Sequence, residues 1–484
     1  MKLKSLMLGS VAAAGLSTAG FAADLGVLTS TDVCNELGFS GLMISSDTNC
    51  LQISGGVEYE FIWGDYETGG DAGLVINTPI GDYTGDDQDV PVGNDEQDWE
   101  STVEAWLKFV GTAPSDFGPA SATIKLLSED EEAEFNDEED VGEGDFSSNV
   151  KIDEAFVSIG DSTVITAGKR GSIAVREDDE PFNLLGLFNS QAVDEGVWFA
   201  DGDYLGGHVI QVTSDLGNGL SVAVGLENLD GGNTDLDDED NIDDDLATEN
   251  DDETFLGESG IDDEGTLVGV VQYAGSNLTA HITGAAIGIL DGEVEQWAMH
   301  AGATGTFDTF KVRGAVGYNG IEDFGVNDGE TIDIWNALLS AQASFDMFTI
   351  AASGEYSYSE LTDREGYGFG GSVGATVTEG VAINLGGRYF SVDDIDGDLD
   401  ETESWQVAAQ LVAELAETIK VTGELGVYGG EFVEENDFID EDQVYYGAAE
   451  LAWEPGGGFS SAVRGEAYSS DAYKFVFKAA KTFE

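Results

Sequence analysis

Apolar and polar residues alternate with a period of two along most of the chain beyond residue 50. Leu51, Ile53, Val57, Tyr59, Phe61 and Trp63 share one face, while Gln52, Ser54, Glu58 and Glu60 share the other. The pattern returns with Phe348, Ile350, Ala352, Tyr356 and Tyr358 against Thr349, Ser353, Glu355 and Ser357. Val381, Ile383, Leu385 and Tyr389 oppose Asn384 and Arg388, and Ile419, Val421, Leu425 and Val427 oppose Lys420, Thr422 and Glu424. Such alternation predicts strands with one oily and one wet face. Each runs for about 10 residues, the length a tilted strand needs to cross a bilayer.

Tight turns at Ser214–Gly219, Ala274–Asn277, Asp346–Met347, Thr378–Gly380 and Glu454–Gly458 predict strand pairs. Between the pairs lie acidic stretches at 64–98, 128–149, 171–203, 229–264, 319–332, 392–402 and 430–442. Short turns alternating with long loops are the connectivity of a closed up-and-down barrel, with the turns on the periplasmic side. All six Pro fall in predicted connections. The fold expected is all-β: a closed antiparallel transmembrane β-barrel with an even number of strands, about 16 to 20. Segments 120–128, 163–170 and 194–200 carry the weakest strand pattern. Trp63, Tyr318, Tyr358, Tyr389 and Tyr428 close strands that enter long loops, and Trp99, Trp297, Trp335, Tyr367, Trp405 and Tyr445 open strands that leave them. These rings predict an outer aromatic girdle at the membrane interface.

Residues 1–22 have the pattern of a cleaved export signal: Lys2 and Lys4, an apolar run, and Gly20-Phe21-Ala22. Residues 23–50 form the expected periplasmic N-terminal segment, and 51–484 the barrel. Cys34 and Cys50 are the only cysteines, and an exported chain meets an oxidising compartment, so one disulfide is expected. The alternative is two separate buried thiols.

Composition narrows the function. With 97 Asp+Glu against 17 Lys+Arg the formal charge is -80, which excludes nucleic acid as a partner. Three His and two Cys leave little material for a metal centre or a His-centred active site. No cofactor and no enzyme activity are expected. Loops 64–98, 128–149 and 229–264 hold 10, 11 and 17 acidic residues and neither Lys nor Arg. Their field concentrates cations at a pore mouth, and their carboxylates could bridge divalent cations weakly.

Two stretches resemble the alphaproteobacterial outer-membrane porins, general-diffusion porins of the Rhizobium and Rhodobacter kind. One is Asp32-Val33-Cys34 through Cys50-Leu51-Gln52-Ile53-Ser54-Gly55; the other is Ile152-Asp153-Glu154-Ala155-Phe156-Val157 through Ala167-Gly168-Lys169-Arg170-Gly171-Ser172. The resemblance implies a homotrimer of 16-stranded barrels in outer-membrane lipid, each narrowed by its third long loop. Carried over by position, that loop holds Arg176 and then Glu177, Asp178, Asp179 and Glu180.

On later strands Lys311, Arg313, Arg388, Lys420 and Arg464 fall on the polar face and are expected to line the lumen as a basic wall. Acids on an inward loop facing such a wall would create a transverse field that sorts ions. The expected function is passive diffusion of ions and small hydrophilic solutes, with a cation preference. The alternatives are a substrate-selective outer-membrane channel, an acidic β-rich surface-layer or adhesive protein, and an outer-membrane hydrolase. His281 and His300 alternate onto the lumenal face, and His208 has no clear face.

Overall fold

The computed structural model describes residues 34, 41–46, 48–66, 76–78, 81–83, 97–134, 150–175, 177–185, 197, 199, 204–229, 265–290, 292, 294, 296–322, 331–360, 364–393, 402–430 and 443–484. The expected signal at 1–22, most of the segment 23–50, and most of the acidic residues of loops 64–98, 128–149 and 229–264 lie outside them.

In chain order the strands are β1 (Met43–Ser45), β2 (Cys50–Asp65), β3 (Ile76–Thr78), β4 (Gly81–Tyr83), β5 (Asp98–Ser115), β6 (Gly118–Glu134), β7 (Lys151–Gly160) and β8 (Thr163–Lys169). There follow β9 (His208–Gly217), β10 (Leu220–Glu227), β11 (Thr266–Ala274), β12 (Leu278–Ile287), β13 (Gln296–Thr306), β14 (Phe310–Glu322), β15 (Thr331–Phe345) and β16 (Phe348–Ser359). The last are β17 (Arg364–Thr378), β18 (Val381–Val392), β19 (Thr402–Ala416), β20 (Ile419–Gly429), β21 (Gln443–Gly456), β22 (Phe459–Tyr468) and β23 (Tyr473–Phe483).

β2 and β5 to β23 each pair antiparallel with their chain neighbours, and β23 returns to β2 from Gly55↔Phe483 to Asp65↔Tyr473. The result is a closed antiparallel barrel of 20 strands. That is the upper end of the expected range, four strands more than the family resemblance implies. β1 lies on the same edge of β2 as β23 and continues its row past the C-terminus: Met43 faces Gln52, and Gly41 abuts Glu484. The Cys34–Cys50 disulfide, with S–S 2.05 Å, ties this hairpin to the first barrel strand.

Alternation decides which face is wet. On β13, Trp297 and Met299 are exposed on the outside while Gln296, Ala298 and His300 are buried inside. The same split recurs with Val57, Val103, Ile124, Val224, Leu339, Val407 and Leu425, all exposed outward. Apolar side chains on the outer surface suit a barrel standing in hydrocarbon, not a sandwich with a dry interior.

Aromatics form two outward belts. Near the loop end stand Trp63 against Trp99, and Trp335 against Tyr318 and Tyr358. Near the turn end stand Phe345 against Phe348, and Trp453 against Phe459. Ten residues along β15 separate Trp335 from Phe345. That is about 33 Å of strand, or about 25 Å of membrane height at a tilt of about 40°, matching the apolar band of an outer membrane. Tyr428 does not belong to the girdle. It pairs with Gln406 and Val444 on the lumenal face, because its even number puts it in phase with Lys420, Thr422 and Glu424.

Three sequence expectations need correction. Of segment 194–200, the described residues Val197 and Phe199 are not in a strand; both are buried against the lumenal wall, Val197 on Ala315 and Leu338 and Phe199 on Val268 and Val270. β6 extends to Glu134 in register with β5, so its acidic end is strand and not loop. Pro114 and Pro119 face each other at the turn end of β5 and β6, and Pro455 lies at the end of β21. At such positions a missing N–H breaks little of the ladder. Outer connections also vary more than expected, shrinking to 360–363 between β16 and β17 and 469–472 between β22 and β23.

Candidate functional site

The loop after β8 turns into the barrel and follows its inner wall. At its stem Arg170 N–H donates to Gly207 O at 2.9 Å, and the guanidinium lies 4.9 Å over the Phe156 ring. Ile173, Ala174, Val175, Tyr204 and Leu205 then cover Phe199, Val268, Val270, Ala285 and Ile287. This accounts for an oddity in β11, where Leu267 and Val271 are exposed outside while Val268 and Val270 are buried inside. A strand apolar on both faces is the sequence signal that something covers its lumenal side.

The next residues step from strand to strand. Thr283 Oγ1 on β12 donates to Val175 O at 3.1 Å, and Gln272 Nε2 on β11 donates to Glu177 Oε2 at 3.4 Å. Asp178 adopts φ 64°, a left-handed conformation uncommon outside glycine. Its Oδ1 accepts from Thr279 Oγ1 at 2.7 Å and lies 3.9 Å from an Arg313 nitrogen on β14. Asp179, 6% exposed, places Oδ2 3.5 Å from His300 Nε2 on β13. Arg313 donates to Glu180 O at 2.6 Å and sits 4.7 Å from the centre of the Phe182 ring.

Further along, Phe182 N–H donates to Ser340 Oγ on β15 at 2.8 Å. Leu185 occupies the space a side chain at Gly386 on β18 would need, and it is buried with Ala408 and Tyr446. The contacts of the loop thus range from β10 to β21, a stretch of twelve of the twenty barrel strands.

The four acids expected on this loop divide in two. Asp178 and Asp179 are bound to the wall, whereas Glu177 and Glu180 are exposed. Arg176 lies outside the described residues. Of the five basic residues, all in phase with the lumenal face, only Arg313 meets those acids, and it does so from the same side of the barrel. Arg388 is 4% exposed and donates from Nε to Gln406 Oε1 at 3.3 Å. The chain of contacts continues through Gln406 Nε2 to Tyr446 OH at 2.9 Å and Tyr446 OH to Glu424 Oε1 at 2.9 Å. Arg464 pairs with Glu466 at 2.7 Å. Lys311 and Lys420 stand exposed near the turn end.

The rest of the wall carries pairs that were not expected: Lys108 with Glu154 at 2.8 Å, Lys125 with Asp153 at 2.5 Å, and Lys478 with Glu60 at 2.8 Å. The same alternation that places Arg313 inside also places Lys108, Lys125 and Lys478 there. Glu58 and Glu104 face each other between β2 and β5. The sequence expectations did not include the contact between His281 and His300. Both alternate inward as expected, stack at 4.8 Å with 14° between planes, and share a 2.7 Å hydrogen bond. His208 falls on the outer face beside Ile210, opposite Lys169. Among the described residues no cluster of three or more His, Cys, Asp or Glu is arranged to hold a metal ion.

No family model matches the chain. It is similar to Porin Omp2a of Brucella suis, 23% identical over 471 residues that cover 92% of this chain and 98% of that protein. It is also similar to Porin Omp2a of Brucella ovis, 25% identical over 258 residues, or 50% of this chain and 63% of that one. Among solved structures, Acinetobacter baumannii OccAB4 aligns at TM-score 0.44 and 11% identity, covering 89% of this chain and 97% of that one. An anion-selective porin from Comamonas acidovorans aligns at TM-score 0.38 and 12% identity, covering 90% and 100%. The barrel described above rests on its own strand register. The chain resembles the alphaproteobacterial outer-membrane porins, and its barrel stands in the bacterial outer membrane.

Proposed function

We propose that the chain is a general-diffusion porin, a water-filled channel for ions and small hydrophilic solutes, with a preference for cations. The observation that carries this reading is the split of the loop acids: Asp178 and Asp179 are tucked against the wall, while Glu177 and Glu180 are exposed, Glu177 keeping only a 3.4 Å contact from Gln272. The loop is then the constriction, fixed along more than half the circumference, and its exposed carboxylates set the local potential where water is scarce. The rest of the wall adds little positive field, since Lys108, Lys125, Lys478 and Arg464 each lie beside a carboxylate. The transverse field is therefore weaker, and the net negative potential stronger, than a bare basic wall would give. Acidic loops at the mouth act in the same direction, less so in high salt, where the screening length falls to about 3 Å at 1 M.

Glu177, Asp178, Asp179 and Glu180 form the constriction segment in this proposal. Arg313 braces it, while Lys311, Arg388, Lys420 and Arg464 line the passage. Solutes cross without a binding step. A homotrimer in outer-membrane lipid is the assembly the family resemblance favours, and weak divalent binding by the mouth loops belongs to the same proposal. Purified protein in planar bilayers under a salt gradient tests it. Steady conductance steps with a cation-selective reversal potential support it, an anion-selective potential removes the charge argument, and no conductance refutes the channel.

A further inference from the structure

Glu227, the last residue of β10, is fully buried, and both its oxygens are used by the two stems of the inward loop. Oε1 accepts Ile173 N–H at 2.9 Å from the outgoing stem, and Oε2 accepts Gly206 N–H at 3.0 Å from the returning one. Gln211 Nε2, on β9, donates to the same Oε1 at 2.9 Å and to Gly171 O at 3.0 Å. Gly206 at φ +84° turns the returning chain so that its N–H points at the carboxylate, and a side chain there would press on Arg170 O and Ser172 N. Asn228 N–H to Gly206 O at 2.7 Å and Thr266 Oγ1 to Tyr204 O at 2.7 Å hold the same stem.

From this geometry we infer that Glu227 is the positioning residue of the constriction. One wall carboxylate clasps the loop at both ends and so fixes where Glu177 and Glu180 stand in the lumen. The inference rests on the porin reading and adds to it the group that sets the aperture. A carboxylate suits the task because every neighbour is a donor and both of its oxygens only accept; a hydrogen bond of this kind is about twice as strong as a neutral one. Glutamine has the same shape but fails in either orientation, since its NH2 must face one of the two backbone N–H groups. The clasp also shortens the segment between Ile173 and Gly206, whose described residues meet the wall at points that include Asp178, Asp179, Phe182 and Leu185.

The test compares wild type, Glu227→Gln, Glu227→Asp and Gln211→Met, each shown to be folded by heat-modifiable migration on a gel. In planar bilayers Glu227→Gln is expected to change single-channel conductance, and to lower the cation-to-anion permeability ratio, by about twofold or more, with added open-channel noise. Glu227→Asp keeps two acceptors and is expected to lie closer to wild type than Gln does. A purely space-filling role predicts the reverse order. Gln211→Met removes one donor and is expected to show the same change in milder form. If the wild type conducts and Glu227→Gln matches it in conductance, selectivity and noise, the clasp is wrong while the porin stands. If the wild type does not conduct, the porin reading falls and the clasp falls with it.

Discussion

His281 Nε2 and His300 Nδ1 lie 2.7 Å apart beneath Glu177, Asp178 and Asp179 of the inward loop. A hydrogen bond between two imidazoles needs one bare nitrogen, so the contact exists only while at least one ring is neutral. Adding the second proton turns both nitrogens into donors and stacks two positive charges at 4.8 Å. The loop acids beside the pair and Arg313 beyond them must then rearrange. Channel conductance is expected to change reversibly once the pH is low enough to charge both rings. His300→Phe should abolish that response. A flat pH profile for the parent protein contradicts this role.

The division of the loop acids makes opposite predictions for neighbouring residues. Glu177→Gln with Glu180→Gln removes two exposed charges and breaks little, so selectivity for cations should fall while folding is unchanged. Asp178→Asn instead weakens the contacts to Thr279 and Arg313, at about 1–3 kcal/mol for charged partners. It should disturb conductance and noise more than selectivity. Reversal potentials and current noise recorded side by side separate the two; equal effects of both substitutions on both readouts count against the assignment.

Leu339 is 65% exposed on the outer face of β15, between the belt residues Trp335 and Phe345. Leu339→Arg places a charge near the middle of the hydrocarbon and should destabilise the barrel by about 2–4 kcal/mol. Leu339→Ala should cost far less. Denaturant unfolding from lipid vesicles measures both, and tolerance of Arg equal to that of Ala would show that this face does not meet lipid.

Cys34 and Cys50 enclose a short loop, and their bond is expected to stabilise the N-terminal hairpin by about 3 kcal/mol. Reduction, or Cys34→Ser with Cys50→Ser, should free β1 from β2 while most of the barrel persists. Limited proteolysis near residue 40, followed by mass analysis, checks this; protection unchanged by reduction would place the hairpin's stability elsewhere.

Much of this fold was legible because a strand's period is two and lipid accepts only one kind of side chain. Parity alone placed Lys311, Arg313, Arg388, Lys420 and Arg464 on the inner face, and the same rule, applied to Tyr428, would have removed it from the girdle. Parity gives a face but no height and no partner. It could not show that Arg313 meets Asp178 while Arg388 meets Gln406, since those pairs depend on how a loop lies across many strands. The covered wall left a trace in Val268 and Val270, apolar where water was expected. Segment 194–200 read as a strand because Val197 and Phe199 alternate, which residues tucked beneath a loop can also do. Strand number exceeded the 16 implied by the resemblance because it is set by how many hairpins the chain contains, and no short motif encodes that count.

The seam between β2 and β23 joins opposite ends of the polypeptide. Every other neighbouring pair in the barrel is joined by a single turn or loop, but this one has to wait until the final strand has been synthesised and delivered. Until then the sheet is an open ribbon with two bare edges, ready to join other chains. A chain cut before Tyr473 would therefore leave both edges unsatisfied at once, and aggregation or degradation, rather than a smaller working barrel, would be its fate.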